Sequence, residues 1–415
     1  MCAKWRGEGY RPPVILDRLR NSISVNDHGN VQGTIMEYFD LSVVVESAVE
    51  FHSDVPGRRR RSIINKAIQE CTKRNEFCPN VFIKSINERE RRYLKQPLYG
   101  ATAVASVSVP KTLPRKRISR KIGSNTIIFQ PNFPKIFREE VEREMGHIAA
   151  TMRVRPEIFQ NYCPVVFKSK VRHVDDIIDQ FEDDFDTMRG IINFILNYGR
   201  KFIIMTSTYT PINGVRLGPF LAIFSSYDNM DAPRILHEPL CIPAGKLENI
   251  WENWEKLSNQ INHILRNTSN KRLGRYARSA FIRYARALDS NDYSAAFLKL
   301  WSLLEYLTGT TQAEGKVTIR RAAALFDDRN FNTERLRHLR DYRNRSIHLS
   351  EESRDIHILL SQIRMYVEGL LRFYVNNELE VASQQELLEF MDLLIDRKQL
   401  ERHGKLLRLA LRYPA

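Results

Sequence analysis

The chain has 415 residues, of which 43 % are hydrophobic and 27 % charged, the balance of a folded protein of two or three domains rather than a disordered one. Its 64 lysines and arginines outnumber 49 acids and leave a net charge of +15. A surplus of that size fits a polyanionic partner, because basic side chains release the counterions condensed on phosphates, although solubility alone also produces basic chains.

No apolar run approaches the length of a membrane span, and no membrane partner is expected. The first residues, Met1-Cys2-Ala3-Lys4-Trp5-Arg6 and then Pro12-Pro13, lack the apolar stretch of a secretory leader, so the expected location is the cytoplasm. Five scattered cysteines, Cys2, Cys71, Cys78, Cys163 and Cys241, form no C-x-x-C pair. They read as reduced, mostly buried thiols rather than a disulfide framework or a zinc knuckle.

Residues 1–245 mix strand and helix signals and predict an α+β region of one or two domains. Strand-like stretches rich in Val, Ile, Thr and Phe are Leu41 to Val49, Val81 to Ile86, Ala103 to Val109, Thr126 to Phe129, Phe202 to Thr208 and Phe220 to Phe224. One helix is expected after Pro134, with Glu139 and Glu140 near its positive end. A second is expected from Val174 to Tyr198, where Ile177, Ile178, Phe181, Phe185, Met188, Ile192 and Ile195 recur at helical spacing. Its acidic run, Asp175, Asp176, Asp179, Glu182, Asp183, Asp184 and Asp186, reads as a solvated helix face rather than a metal site. Two basic stretches sit beside Gly or Pro and read as exposed loops: Arg58, Arg59, Arg60 and Arg61, and the segment from Lys111 holding Arg115, Lys116, Arg117, Arg120 and Lys121. Each is either a set of contacts to a nucleic-acid backbone or a solvated loop.

From about residue 246 nearly everything reads as helix. Leu273 to Leu288 carries an apolar stripe with Arg275, Arg278, Arg283 and Arg286 off it. Tyr293 to Leu307 follows, then a shorter helix near Thr318 to Phe326 and a long one from Ser353 to Tyr374. Amphipathic helices with short links predict a bundle over 246–380, closed by a charged helical tail over 381–415.

Between the last two of those helices stands Leu336-Arg337-His338-Leu339-Arg340-Asp341-Tyr342-Arg343-Asn344-Arg345-Ser346-Ile347-His348-Leu349. If the segment is helical, Asn344 and His348 share a face one turn apart, and Arg343 beside them is long enough to reach back. The grouping suits metal-free RNA cleavage. Histidine titrates near neutrality and serves as general base or acid toward the ribose 2′-OH. Arginine presents a permanent forked cation to the phosphate, and Asn344 can hold either partner. The motif calls for no metal and no cofactor. By itself the pattern is short, and a helix-packing histidine with a surface arginine is the plainer alternative. A second Arg–His pair, Arg397 and His403, reads as cations at a helix end where the dipole favours them.

Trp301-Ser302-Leu303-Leu304-Glu305-Tyr306-Leu307 followed by Tyr342-Arg343-Asn344-Arg345-Ser346-Ile347-His348 resembles the HEPN superfamily, and most of all its Apea-like branch in prokaryotic anti-phage defence. The resemblance covers about a third of the chain and implies an all-α HEPN bundle after the α+β region. It further implies a metal-independent endoribonuclease acting on RNA, with Arg343 and His348 as the catalytic pair and Asn344 beside them. Glu305 would form a supporting salt bridge to an arginine. Two copies would pair through the helical module as a homodimer, and residues 1–245 would serve as sensor or target-recognition region for a phage-derived trigger. A non-cleaving RNA-binding or assembly protein and the toxin of a toxin–antitoxin pair are the alternative functions.

Overall fold

The computed structural model describes residues 3–413 apart from 8, 26–30, 34, 53, 136–137, 152–160, 199–211, 226–233, 238–246, 270–271, 312–313, 350–352 and 394–396. For 25, 31–33, 35–39, 140, 144–145, 148–149, 225 and 348–349 the backbone alone is described. Within these residues the chain is mixed α and β, with an N-terminal α+β part and a helical C-terminal part.

The first ninety or so residues form a helical layer of their own. It comprises β1 (Lys4–Trp5), α1 (Pro12–Ser22), β2 (Ile23–Val25), β3 (Val31–Gly33), α2 (Ile35–Ala48), β4 (Val49–Glu50), α3 (Gly57–Arg74) and α4 (Pro79–Leu94). Leu16, Leu19, Val45, Ile64, Ile68, Phe82 and Ile86 make its separate core. The fully buried Glu90 ties this layer together, since its carboxylate accepts the backbone N–H groups of Ala3 at 3.0 Å and His52 at 2.8 Å.

Two of the strands expected here are helices. Leu41 to Val49 lies almost wholly in α2: Ser42, Val45 and Ala48 are buried three residues apart, and Val43 and Val44 face out. Val81 to Ile86 lies in α4, whose Phe82, Ser85, Ile86, Glu90 and Tyr93 form one buried stripe. In both, burial at helical spacing outweighs the strand preference of β-branched residues. The expected strand Phe202 to Thr208 lies outside the described residues.

The central element is a six-stranded antiparallel sheet in the order β10-β9-β5-β8-β7-β6. Its strands are β5 (Tyr99–Pro110), β6 (Ile118–Ile122), β7 (Asn125–Phe129), β8 (Tyr162–Val171), β9 (Leu217–Ser225) and β10 (Arg234–His237). Three of the expected strands fall on β5, β7 and β9. Helix α5 (Arg138–Thr151) and Phe133 cover part of one face, where Val104, Ile128, Tyr162, Val166, Phe220 and Ala222 are buried. Helix α6 (Asp176–Asn197) covers the other, against Ala103, Ala105, Ile127, Phe129, Val165 and Phe167. Burial on both faces goes with the unbroken buried runs Ala103 to Val109 in β5 and Tyr162 to Phe167 in β8, beyond which β8 alternates.

The rest is helical: α7 (Trp254–Thr268), α8 (Gly274–Leu288), α9 (Tyr293–Thr308), α10 (Gly315–Ala323), α11 (Arg329–Leu349), α12 (Ile356–Asn376), α13 (Gln384–Leu393) and α14 (Arg397–Ala410). Helices α9, α11 and α12 pack around Phe297, Leu300, Trp301, Leu336, Leu339, Tyr342, Tyr366 and Leu370. One apolar cluster runs without a break from the sheet through α6 and α8 into this bundle. The α6–α8 crossing is close because Gly190 lets the helices touch: a Cβ there would lie 2.3 Å from the Phe281 carbonyl oxygen. Asn193 ties α6 to the segment leading into β9, its side chain exchanging hydrogen bonds with both backbone groups of Val215.

Candidate active site

Helix α11 carries the Arg–Asn–x3–His motif. Asp328, at φ 48, opens the helix and accepts the Phe331 N–H at 3.2 Å, the arrangement of an N-cap. Asn332, Leu336, Leu339 and Tyr342 are buried at helical spacing and fix which face turns inward. Tyr366 of α12 donates to Asn332 Oδ1 at 2.6 Å, and the Tyr342 ring meets Phe297 of α9 edge-on at 4.9 Å.

The motif occupies the last two turns of this 21-residue helix. That corrects its expected place between two helices: the segment lies in a separate helix, α11, whose high content of arginine and other polar residues conceals its buried stripe. Positions 344 and 348 are four apart, so they lie about 40° from one another round the axis, whereas 343 and 348 lie about 140° apart. Arg343 therefore has to bend to reach the face that Asn344 and position 348 share. It does bend: Arg343 Nη1 donates to Asn344 Oδ1 at 3.0 Å. Both residues are half-buried, and no carboxylate among the described residues pairs with Arg343. The His348 side chain lies outside the described residues.

Glu305 on α9 is buried, and its Oε1 accepts the Trp301 indole N–H at 2.8 Å. No arginine among the described residues pairs with it, so the expected salt bridge is replaced by a bond within one helix. Trp301 and Glu305 stand four apart and face one another across a turn, a geometry the sequence contains but an expectation centred on charge overlooks.

The arginines 58–61 are not a loop. Pro56 and Gly57 start helix α3 rather than ending one, and the four residues form its first turn. Cations are unfavourable at a helix N-terminus. Acids of α6 and α2 offset them: Arg58 pairs with Asp179 at 3.2 Å and Glu182 at 3.1 Å, Arg59 with Asp176 at 3.7 Å, and Arg61 with Glu46 at 2.9 Å. Arg60 donates to the Val55 carbonyl. Asp179 also accepts the Arg58 backbone N–H at 3.0 Å, capping α3 from a neighbouring helix.

The acids of α6 are correspondingly a solvated face only in part, Asp183 being exposed and Glu182 half-buried. Asp176, Asp184 and Asp186 are buried. Asp184 accepts from Asn125 and Arg278, and Asp186 from Arg189 and Arg286. Burial pushes the Asp176 and Asp184 carboxyls above the usual aspartate range, outweighing the attraction of their partners.

In the second basic stretch, Arg115, Lys116 and Arg117 are exposed outside regular structure, while Arg120 and Lys121 belong to the edge strand β6 rather than to a loop. Arg120 lies over the Trp254 ring at 5.2 Å and donates to the Ser119 carbonyl and to Ser258. Burial, then the charge of Arg115, pulls its pKa down. Arg397 opens α14 rather than closing a helix, so the dipole does not favour it; it pairs instead with Glu401 at 2.9 Å.

Of the cysteines, Cys71 and Cys163 are buried free thiols, pushed up by burial to about 11 and about 12, which suits packing and not nucleophilic attack. Cys78 is free and exposed, so two of the three described cysteines are buried, and Cys2 and Cys241 lie outside the described residues.

One feature was missed from the sequence. Between α10 and α11 lies an open groove of about 490 Å³ lined by Lys316, Arg320, Arg329, Arg337 and Arg340, with Asp341 as its one carboxylate. Position 344 continues the line of Arg337, Arg340 and Asp341 along α11, at spacings of three and four. The signal was present as recurrent arginine in 329–345, but pairing it with Lys316 and Arg320 requires α10 to fold back alongside.

Compared with known proteins, the chain gives no match to a family model, a curated protein or a solved structure.

Proposed function

We propose that the protein is a metal-independent endoribonuclease of the HEPN type whose catalytic groups are Arg343, Asn344 and His348. The observation that carries the reading is the turn of the Arg343 guanidinium onto Asn344, toward the face that position 348 shares. Arg343 has no carboxylate partner among the described residues, so its charge remains available to a phosphate.

In the reaction His348 removes the proton of a ribose 2′-OH, and the 2′-oxygen attacks the adjoining phosphorus. The bond from phosphorus to the 5′-oxygen breaks, and that oxygen takes a proton as it leaves. The products are a 2′,3′-cyclic phosphate and a free 5′-hydroxyl, with no change of oxidation state. Arg343 offsets charge growing on the non-bridging oxygens, and Asn344 holds the guanidinium in place. The HEPN resemblance extends this to a homodimer acting in anti-phage defence, with the α+β part as sensor.

The test is incubation of the purified protein with total RNA in the presence of a chelator. Discrete fragments ending in cyclic phosphate are expected, and His348→Ala or Arg343→Ala should each lower the rate by about 10²–10⁴-fold. Cleavage that survives both substitutions, or that starts only on adding metal, overturns the mechanism. Growth arrest on expression, lost with His348→Ala, reports the activity if a trigger is needed.

A further inference from the structure

We propose that the groove between α10 and α11 is a track for single-stranded RNA, in which cations on both walls meet successive phosphates and lead the strand to Asn344 and position 348. The delivery step rests on the nuclease reading above; the binding step does not.

Three observations carry it. The first is charge: five cations line the groove against one carboxylate. Two of them already have acids, Arg320 with Asp392 and Arg337 with Glu334, yet Lys316 and Arg340 have no ion-pair partner among the described residues. Arginines around α6 are paired off with buried or half-buried acids, whereas this row keeps an excess of positive charge, with Lys316 and Arg340 outside any ion pair among the described residues. Such a row repels itself, and a polyanion relieves the repulsion.

The second is placement. Lys316 and Arg320 stand on α10 and Arg329, Arg337 and Arg340 on α11, so the positive charge faces inward from both sides. Asp341 lies among them at the end nearer the motif, where position 344 continues the same face of α11.

The third is shape. The groove is about 490 Å³ and open to solvent, room for a short stretch of a single strand between cations on its two walls. The chemistry also favours a single strand, because in-line attack by the 2′-oxygen needs a ribose free to rotate.

The experiment uses the full chain carrying His348→Ala, so that RNA stays intact. Binding of a short unstructured oligoribonucleotide is followed by fluorescence anisotropy between about 50 and 200 mM salt. Each cation that neutralises a phosphate of a single strand contributes about 0.7 to the slope of log affinity against log salt. Lys316→Gln, Arg337→Gln and Arg340→Gln together should lower that slope by about 2 and weaken binding at low salt at least about tenfold. Lys316→Gln alone, at an exposed site where folding is not at stake, should lower it by about 0.7. A control removing Lys398, Arg402 and Lys405 from the exposed face of α14 changes net charge equally and should leave the slope in place. The same sequence as a duplex should bind more weakly.

An unchanged slope in both groove variants, an equal fall in the control, or a duplex bound as tightly as the single strand overturns the track. The two proposals fail separately. A groove variant that binds normally while the native chain still cuts RNA removes the track and keeps the nuclease. A reduced slope, with a native chain that neither cuts RNA nor arrests growth, does the reverse.

Discussion

The arginines around α6 and those around α11 belong to one chain and do opposite things. Around α6 they are consumed: Arg189 is held between Asp186 and Asp289, Arg278 against Asp184, Arg286 against Asp183 and Asp186, and Arg58 against Asp179 and Glu182. These pairs join the N-terminal layer and the helical part to the helix that backs the sheet. Around the α10–α11 groove the cations outnumber nearby acids and point into an open space. A basic composition thus conceals two economies of charge, one spent on assembling the molecule and one that faces open space. Substitutions in the first should cost stability, and substitutions in the second should cost only binding.

The largest stability effect is expected at Arg189, whose side chain is 3 % exposed and whose guanidinium donates to both oxygens of Asp289 at 2.9 Å. Arg189→Ala leaves the buried Asp186 carboxylate with Arg286 alone and Asp289 with Asn213, and should cost about 3 kcal/mol, the lower end for removing one partner of a buried pair. Urea or guanidinium unfolding monitored by circular dichroism measures it. A loss below about 1 kcal/mol would mean that the site takes in water and compensates, and the contrast drawn above would fail at its strongest point.

How much of this was legible in the sequence depends on whether a residue's neighbours lie nearby in the chain. The helices over 274–288 and 293–308 and the long α6 were readable because a continuous apolar stripe is local information. So were the apolar strands β5, β7 and β9. The proposed motif is local as well, since positions 343, 344 and 348 lie within two turns, and the Arg343–Asn344 contact follows from their adjacency in the chain. What failed was non-local. Leu41 to Val49 looked like a strand until tertiary packing chose the face of Ser42, Val45 and Ala48. Arg58 to Arg61 looked like a loop because the cap that starts their helix, Asp179, lies 121 residues away. The acidic face of α6 looked solvated because its partners Arg278 and Arg286 sit about a hundred residues further on. Glu305 was assigned an arginine because its true partner, Trp301, offers a hydrogen bond and no charge. The groove, finally, needs two helices side by side, and neither one shows it alone.

A smaller effect separates burial from attraction within the consumed set. Asp184 has a side chain only 3 % exposed, and its carboxyl stands above the ordinary value of 3.8 because desolvation exceeds the pull of Arg278 and Asn125. A raised folded-state pKa means that the native protein holds this proton more tightly than the unfolded chain. The stabilisation this confers is complete below about 3.8 and is lost as pH rises through the folded value. Asn at this position does not titrate. The stability of the native chain relative to Asp184→Asn should therefore decline as pH is raised from the acid range to neutrality, read from denaturant midpoints at matched salt. A gap that instead moves in favour of the native chain would show that the arginine dominates, and would make the α6 pairs a source of stability at neutral pH rather than of specific assembly.

The smallest effect is the one that most sharpens the contrast. Lys316 is exposed on α10, lines the groove with four arginines, and has no ion-pair partner among the described residues. Lys316→Ala removes a charge in a groove where arginines outnumber the one carboxylate, Asp341, at a helical position where alanine is at least as good a helix former. Its unfolding free energy should stay within about 0.5 kcal/mol of the native value, as at surface positions without special contacts. Any change should lean toward stabilisation at low salt and shrink as salt screens the neighbouring arginines. A loss above about 1 kcal/mol would give this lysine a role in holding α10 to α11. The groove would then be as internally committed as the pairs around α6, and the distinction between structural and surplus cations would no longer describe this molecule.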